Sequence, residues 1–151
     1  MASQLALYAL LELAKAPGAQ LSVAEIGHRY GVSTHHLAKV MHALGRANLV
    51  RAVRGVGGGY QFSGNARRTT LLDVVQLFGD FLDAPEPVAV NGAHPEVEAL
   101  RDVVKEIDDV TRATLGSITL STMLTLIERR RRRDPAQDAT GAQPERPIGP
   151  P

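Results

Sequence analysis

The chain has 151 residues, 44% of them hydrophobic and 22% charged, with no cysteine and a formal net charge of +1. That length suits a single domain with its own core, and the missing thiols exclude disulfide frameworks, thiolate metal sites, cysteine nucleophiles and cysteine-ligated iron–sulfur clusters. The small net charge hides an asymmetry: residues 1–70 carry eight Lys/Arg against two Asp/Glu, residues 71–128 three against eleven, and residues 129–151 six against three. Along the chain, Leu and Ala first recur at helical spacing over residues 3–16, until Pro17 and Gly18 break the helix. Glu12 and Lys15 interrupt the apolar run, so it reads as an amphipathic helix and not as a signal peptide or membrane span. Ser22 to Glu25 (SVAE) is a capping box opening a short helix that ends near Tyr30, with Gly31 in the turn.

Ser33 is expected to cap a third helix running to about Ala47. Ala24, Ile26 and Val32 are expected to face inward, and the two short helices around a glycine turn make a helix-turn-helix pattern. In the third helix Leu37, Val40, Met41 and Leu44 fall on one face. The remaining surface holds Thr34, His35, His36, Lys39, His42 and Arg46 without one carboxylate. An ordinary amphipathic surface helix has the same apolar stripe, but its outer face mixes signs. Donors and cations at the start of a second helix suit phosphates and base edges in a major groove. The basic first half is likewise the footprint of a polyanion binder, which the acidic second half would repel.

Two strands, LVRAV (49–53) and YQF (60–62), flank a loop containing Gly55, Gly57 and Gly58. The loop does not fit a nucleotide cradle, because no Lys-Ser or Lys-Thr follows and Tyr60 stands where a last glycine should be. A glycine-rich hairpin with no partner is the plain alternative. Directly after a helix-turn-helix, the hairpin reads as a wing whose bare backbone approaches phosphates, with Arg51 and Arg54 reaching phosphates or a narrow minor groove. TLLD (70–73) opens a fourth helix to about Leu82, and the Pro/Gly-containing residues 83–95 read as a loop. A long helix over 96–116 carries a seam of Leu100, Val103, Val104, Ile107, Val110 and Leu115, which suits a dimer interface or an intramolecular core. Thr119 caps a last helix ending in Arg129–Arg133. That run could add affinity for DNA phosphates, or its cations could simply oppose the helix dipole. From Asp134 the composition is that of a disordered tail.

QLALYALLELA at the start, VAEIGHRYGVSTHHLAKVMHALGRANLV, VRGVGGGY and TTLLDVVQLF together resemble the Rrf2 family of bacterial winged-helix transcription regulators. The likeness covers residues 3–83 well and the last two helices more loosely. It implies a mainly α fold with a small β-hairpin: a winged helix-turn-helix head (1–83), a loop (84–95), a dimerisation helix and C-terminal helix (96–133) and a tail (134–151). It further implies a cytoplasmic homodimer, with no membrane partner, that acts as a sequence-specific repressor on a palindromic stretch of double-stranded DNA. The corresponding DNA contacts are Ser33, Thr34, His35, His36, Lys39 and His42 in the recognition helix, and Arg51, Arg54, Gly55, Gly57 and Gly58 in the wing. Leu100, Val103, Val104, Ile107 and Val110 are the expected dimer interface.

Many relatives of this kind hold an iron–sulfur cluster on three cysteines before the long helix, some with an acidic ligand just before a Tyr-Ala pair in the first helix. Here the loop has no cysteine and Leu7 precedes Tyr8 and Ala9, so the chain resembles a cysteine-free branch with no cofactor, and any effector is an unknown small molecule or protein. The five histidines do not make a metal site by spacing, which needs three or four convergent ligands. No catalytic set is present either, since the adjacent Asp108 and Asp109 point to different faces. The alternative function is a winged helix that binds a protein without reading DNA.

Overall fold

A computed structural model of the chain describes residues 2–79 and 94–133. Ala2–Ala14 forms α1, Val23–Tyr30 α2, Thr34–Arg46 α3, Val50–Val53 β1, Gly59–Phe62 β2, Leu71–Val75 α4, Pro95–Ser117 α5 and Leu120–Arg133 α6. The architecture is mainly α with one two-stranded antiparallel sheet. Of the loop expected over 83–95, only His94 and Pro95 fall within the described residues, and the tail from Asp134 lies outside them.

The core is built on α1, because its Leu and Ala side chains leave few polar groups to keep wet. Leu5, Ala6, Ala9, Leu10 and Leu13 are buried against Ile26 of α2, Leu37, Val40, Met41 and Leu44 of α3, Val50 of β1 and Val74 of α4. Leu120, the first residue of α6, is fully buried in the same cluster. Ala24 differs from expectation: it is exposed, and the half-buried Val23 packs against the core in its place.

Among the described residues one charged group sits inside this core. Glu12 is 7% exposed. It accepts a hydrogen bond from the Tyr30 hydroxyl at 2.6 Å and pairs with Lys15 and Arg29. The Tyr30 ring stacks on Tyr8, with centroids 5.1 Å apart and planes 9° from parallel. Burial alone would raise the Glu12 pKa, but hydrogen bonds from Lys15 and Tyr30 and the charges of Lys15 and Arg29 hold it below the usual value. Tyr30 moves up, through burial first and then its bond to Glu12. This network ties α2 to α1 and is the means by which a carboxylate is tolerated at that depth.

Within the described residues the fourth helix is shorter than its sequence pattern, whose last positions, 80–82, lie outside them. After Val75 the backbone tightens into i→i−3 bonds (Leu77 to Val74, Phe78 to Val75), and Gly79 ends the turn at φ 71°. Thr70 caps α4 through a full capping box with Asp73. The turn between α5 and α6 lies against this capped end. Leu71 donates to Ile118 O at 2.8 Å, Leu120 to Thr69 O at 2.9 Å and Ser121 to Ala66 O at 2.8 Å. Thr119 Oγ1 accepts from Thr122 N, as a cap should. From this junction α5 leaves the body: Leu100, Val103, Val104, Ile107 and Val110 are 41–65% exposed, and no residue of the helix is buried. Leu115, nearer the junction, is half-buried against the core. No helix among the described residues is long and apolar enough to cross a membrane.

Candidate nucleic-acid interface

The α2–α3 unit is set by two local devices. Ser22 and Glu25 exchange both bonds of the capping box, fixing where α2 starts. At its end Gly31 adopts φ 63°, ψ 34°, a left-handed turn open to glycine, and Val32 N returns to Gly27 O at 3.0 Å. The chain is thereby redirected into α3, whose four apolar residues at positions 37, 40, 41 and 44 are all buried.

That burial orients everything else on α3. Thr34, His35, His36, Lys39 and His42 are exposed, as is Arg46. Ser33 occupies the N-cap position, but its side chain makes no capping bond, contrary to expectation. Its backbone carbonyl accepts from Leu37 N, and its side chain is exposed. The first turn of α3 therefore offers a hydroxyl and backbone N–H groups at the positive end of the helix dipole.

The hairpin pairs Val50 with Phe62, Arg51 with Gln61, Ala52 with Tyr60 and Val53 with Gly59. Leu21 forms an isolated bridge to the hairpin, exchanging bonds of 3.1 and 2.8 Å with Tyr60. Gln20 Nε2 donates to Gly57 O at 2.5 Å, and Gln61 Nε2 to Gly18 O at 2.8 Å, so the α1–α2 connection braces the hairpin along its length. Neither the bridge nor the braces has a periodic signal in sequence. The glycines have structural reasons of their own. Gly55 and Gly57 sit at φ 114° and 72°, a Cβ on Gly58 would lie 2.7 Å from Val53 O, and one on Gly59 would lie 2.5 Å from Leu21 O.

The two hairpin arginines are not equivalent. Arg51 donates from Nε and Nη2 to Gln61 Oε1, at 3.1 and 2.8 Å, which lays it across the sheet. Arg54 is exposed at the loop and makes no hydrogen bond or ion pair among the described residues, and beside it Val56 is fully exposed. Arg67 and Arg68, exposed in the turn after β2, are further cations that motif reading passed over because they belong to no motif.

Among the described residues an iron site finds no matching donors. The sequence contains no thiol, and among the described residues no three His, Asp or Glu side chains converge.

The sequence profile of the Rrf2 family, described as an iron-dependent transcriptional regulator, matches residues 2–125. BadM of Rhodopseudomonas palustris, named as an HTH-type transcriptional regulator, is 46% identical over 128 residues, 84% of this chain and 81% of that protein. Among solved structures, CymR, the global cysteine regulator of B. subtilis, superposes with a TM-score of 0.69 at 25% identity over 83% of this chain and 95% of its own. IscR of T. potens superposes with a TM-score of 0.55 at 26% identity over 94% and 88%. The relatives are regulators, not enzymes. An exposed, carboxylate-free helix beside a glycine-turned hairpin and a family profile spanning most of the chain lead to one identification: this chain belongs to the Rrf2 family of DNA-binding, winged helix-turn-helix transcription regulators.

Proposed function

We propose that the chain is a cytoplasmic, homodimeric repressor that binds a palindromic operator through α3 and the wing. The observation that carries the reading is the outer face of α3, where Thr34, His35, His36, Lys39 and His42 are all exposed and no acid interrupts them. Major-groove edges are read by such donors, and phosphates by the cations around them. Ser33 and the first N–H groups of α3 meet a phosphate, fixing register. Arg54, held at the rim by Gly55, Gly57 and Gly58, meets the backbone or minor groove beside it, and Arg51 adds a weaker contact because Gln61 holds it.

A palindromic operator and the exposed stripe of α5 both support a second copy. Two heads on half-sites one helical turn apart read a palindrome. The five exposed apolar residues at 100, 103, 104, 107 and 110 supply a surface for the partner. The head (1–83) thus reads DNA and the arm (96–133) pairs the heads, with 84–95 linking them and 134–151 trailing. Repression follows from occupying promoter DNA. A small-molecule or protein effector would act by favouring one separation of the heads.

Selecting bound fragments of the source genome with the purified full chain tests this reading. Enrichment of promoter fragments sharing an inverted repeat is the expected result. Equal retention of all duplexes, or binding that does not weaken with salt, would overturn it.

A further inference from the structure

Two surfaces of the arm are complementary in charge and in apolar content. Helix α5 carries six acids against three bases. Lys105 is paired with Asp109 and Arg112 with Asp108. Glu96, Glu98, Asp102 and Glu106 are exposed and take part in no ion pair among the described residues. Two of them adjoin the apolar stripe, and a third lies beside one of these. Glu96 precedes Leu100 by four residues and Val103 by seven, Glu106 precedes Val110 by four, and Asp102 precedes Glu106 by four. Two such helices crossing on their stripes alone would bring unneutralised acids together.

The far end of α6 carries the opposite sign. Leu126, 49% exposed, is followed at three, four and seven residues by Arg129, Arg130 and Arg133, so all four share a face. Met123, Leu126 and Ile127 line an open depression together with these arginines. Arg132 is taken by Glu128. This face is apolar and then strongly cationic, while the outer half of α5 is apolar with an acidic flank.

We propose that, in the homodimer, this Leu126–arginine face of α6 docks on the acidic, apolar-striped outer half of the second copy's α5. The inference rests on the homodimer reading above and assigns the arginine run to the partner arm instead of DNA. By symmetry the contact occurs twice, and each copy both gives and receives. The chain's net charge of only +1 keeps general repulsion between copies small, so the salt response of assembly reports these local patches.

Sedimentation of the unmodified full chain in rising sodium chloride is the first test. Between about 50 mM and about 500 mM the dimer dissociation constant should rise at least about tenfold, because screening weakens opposite-charge contacts. The second test is a charge exchange. One variant carries Arg129→Glu, Arg130→Glu and Arg133→Glu, the other Glu96→Lys, Asp102→Lys and Glu106→Lys. Each alone should dimerise at least about tenfold more weakly, and an equimolar mixture should form the heterodimer in preference to either homodimer, since both contacts are then restored. A dimer that tightens or does not respond as salt rises would overturn the docking while leaving the homodimer intact. So would an α6 variant that dimerises like the parent but loses DNA affinity, which would give the arginines to phosphates. A chain that is monomeric at every salt concentration would overturn both readings. Circular dichroism checks that each variant folds, and the salt titration of the unmodified chain decides the matter if one does not.

Discussion

Arg51 and Arg54 are three residues apart and alike in sequence, yet only Arg54 is uncommitted. Arg54→Ala should weaken binding to every duplex and lower the salt slope by about one. Fluorescence anisotropy at several salt concentrations measures this, and an unchanged slope would remove Arg54 from the interface. Ser33→Ala separates stability from binding at another single position. Losing a working N-cap costs about 1 kcal/mol, but this hydroxyl caps nothing, so thermal stability should hardly move while DNA affinity falls several-fold. Glu12 is the residue with most at stake inside the fold. Its pKa is lower folded than unfolded, so its contribution is complete above the unfolded value of about 4.3 and is lost as pH falls below it. Glu12→Ala should cost about 2 kcal/mol at neutral pH by stranding the Tyr30 hydroxyl, and Glu12→Gln should flatten the acid limb of a stability–pH curve. Only the Lys15 pair, at helical i,i+3 spacing, was open to the sequence, where Glu12 is one acid in an apolar run. Its other partners, Arg29 and Tyr30, lie seventeen and eighteen residues away at spacings no helix or strand pattern carries.

The elements differ in how openly the sequence shows them. Helix α3 was readable almost to the residue, because one period of 3.6 governs both its buried stripe and its exposed face. The hairpin was readable because strand residues bracket a cluster of glycines. Helix α4 was over-read by several residues: Leu77 and Phe78 continue the apolar rhythm, and only the tightening of the backbone before Gly79 ends it. The Leu21 bridge was invisible, a single bridged residue having no alternation to detect. That bridge makes the wing testable as an element. Gly59→Ala would place a Cβ 2.5 Å from Leu21 O, and the displaced connection should destabilise the head by about 2 kcal/mol. Amide hydrogen exchange should show Leu21 and Tyr60 losing protection before β1 does; equal protection in both proteins would mean that the hairpin stands without its brace.

For the whole molecule, assembly and metal content give the decisive measurements. Ile107 is 60% exposed in the protomer, so Ile107→Arg should leave the head folded while burying an unpaired charge in the dimer. The expected product is a helical monomer with much weakened operator binding; a dimer as tight as the parent would move the interface elsewhere. The purified protein should be colourless and bind DNA without iron, because no thiolate exists to hold a cluster. Visible absorption with stoichiometric iron after anaerobic purification would reverse that expectation and direct attention to the histidines.

Leu120 fills a core position and residues 66–71 are bonded to residues 118–121, so the base of the arm cannot be exchanged without rebuilding the head. The outer half of α5 is under no such constraint, being exposed from His94 to Ile107 apart from a half-buried Val97. On the proposed homodimer reading, substitutions accumulating there would change which chains a protomer accepts and leave α3 and the wing untouched. Two gene copies could therefore drift into separate, non-mixing regulators while still competing for one operator, and exchanging residues 94–107 alone between them would move the exposed stripe without touching α3 or the wing.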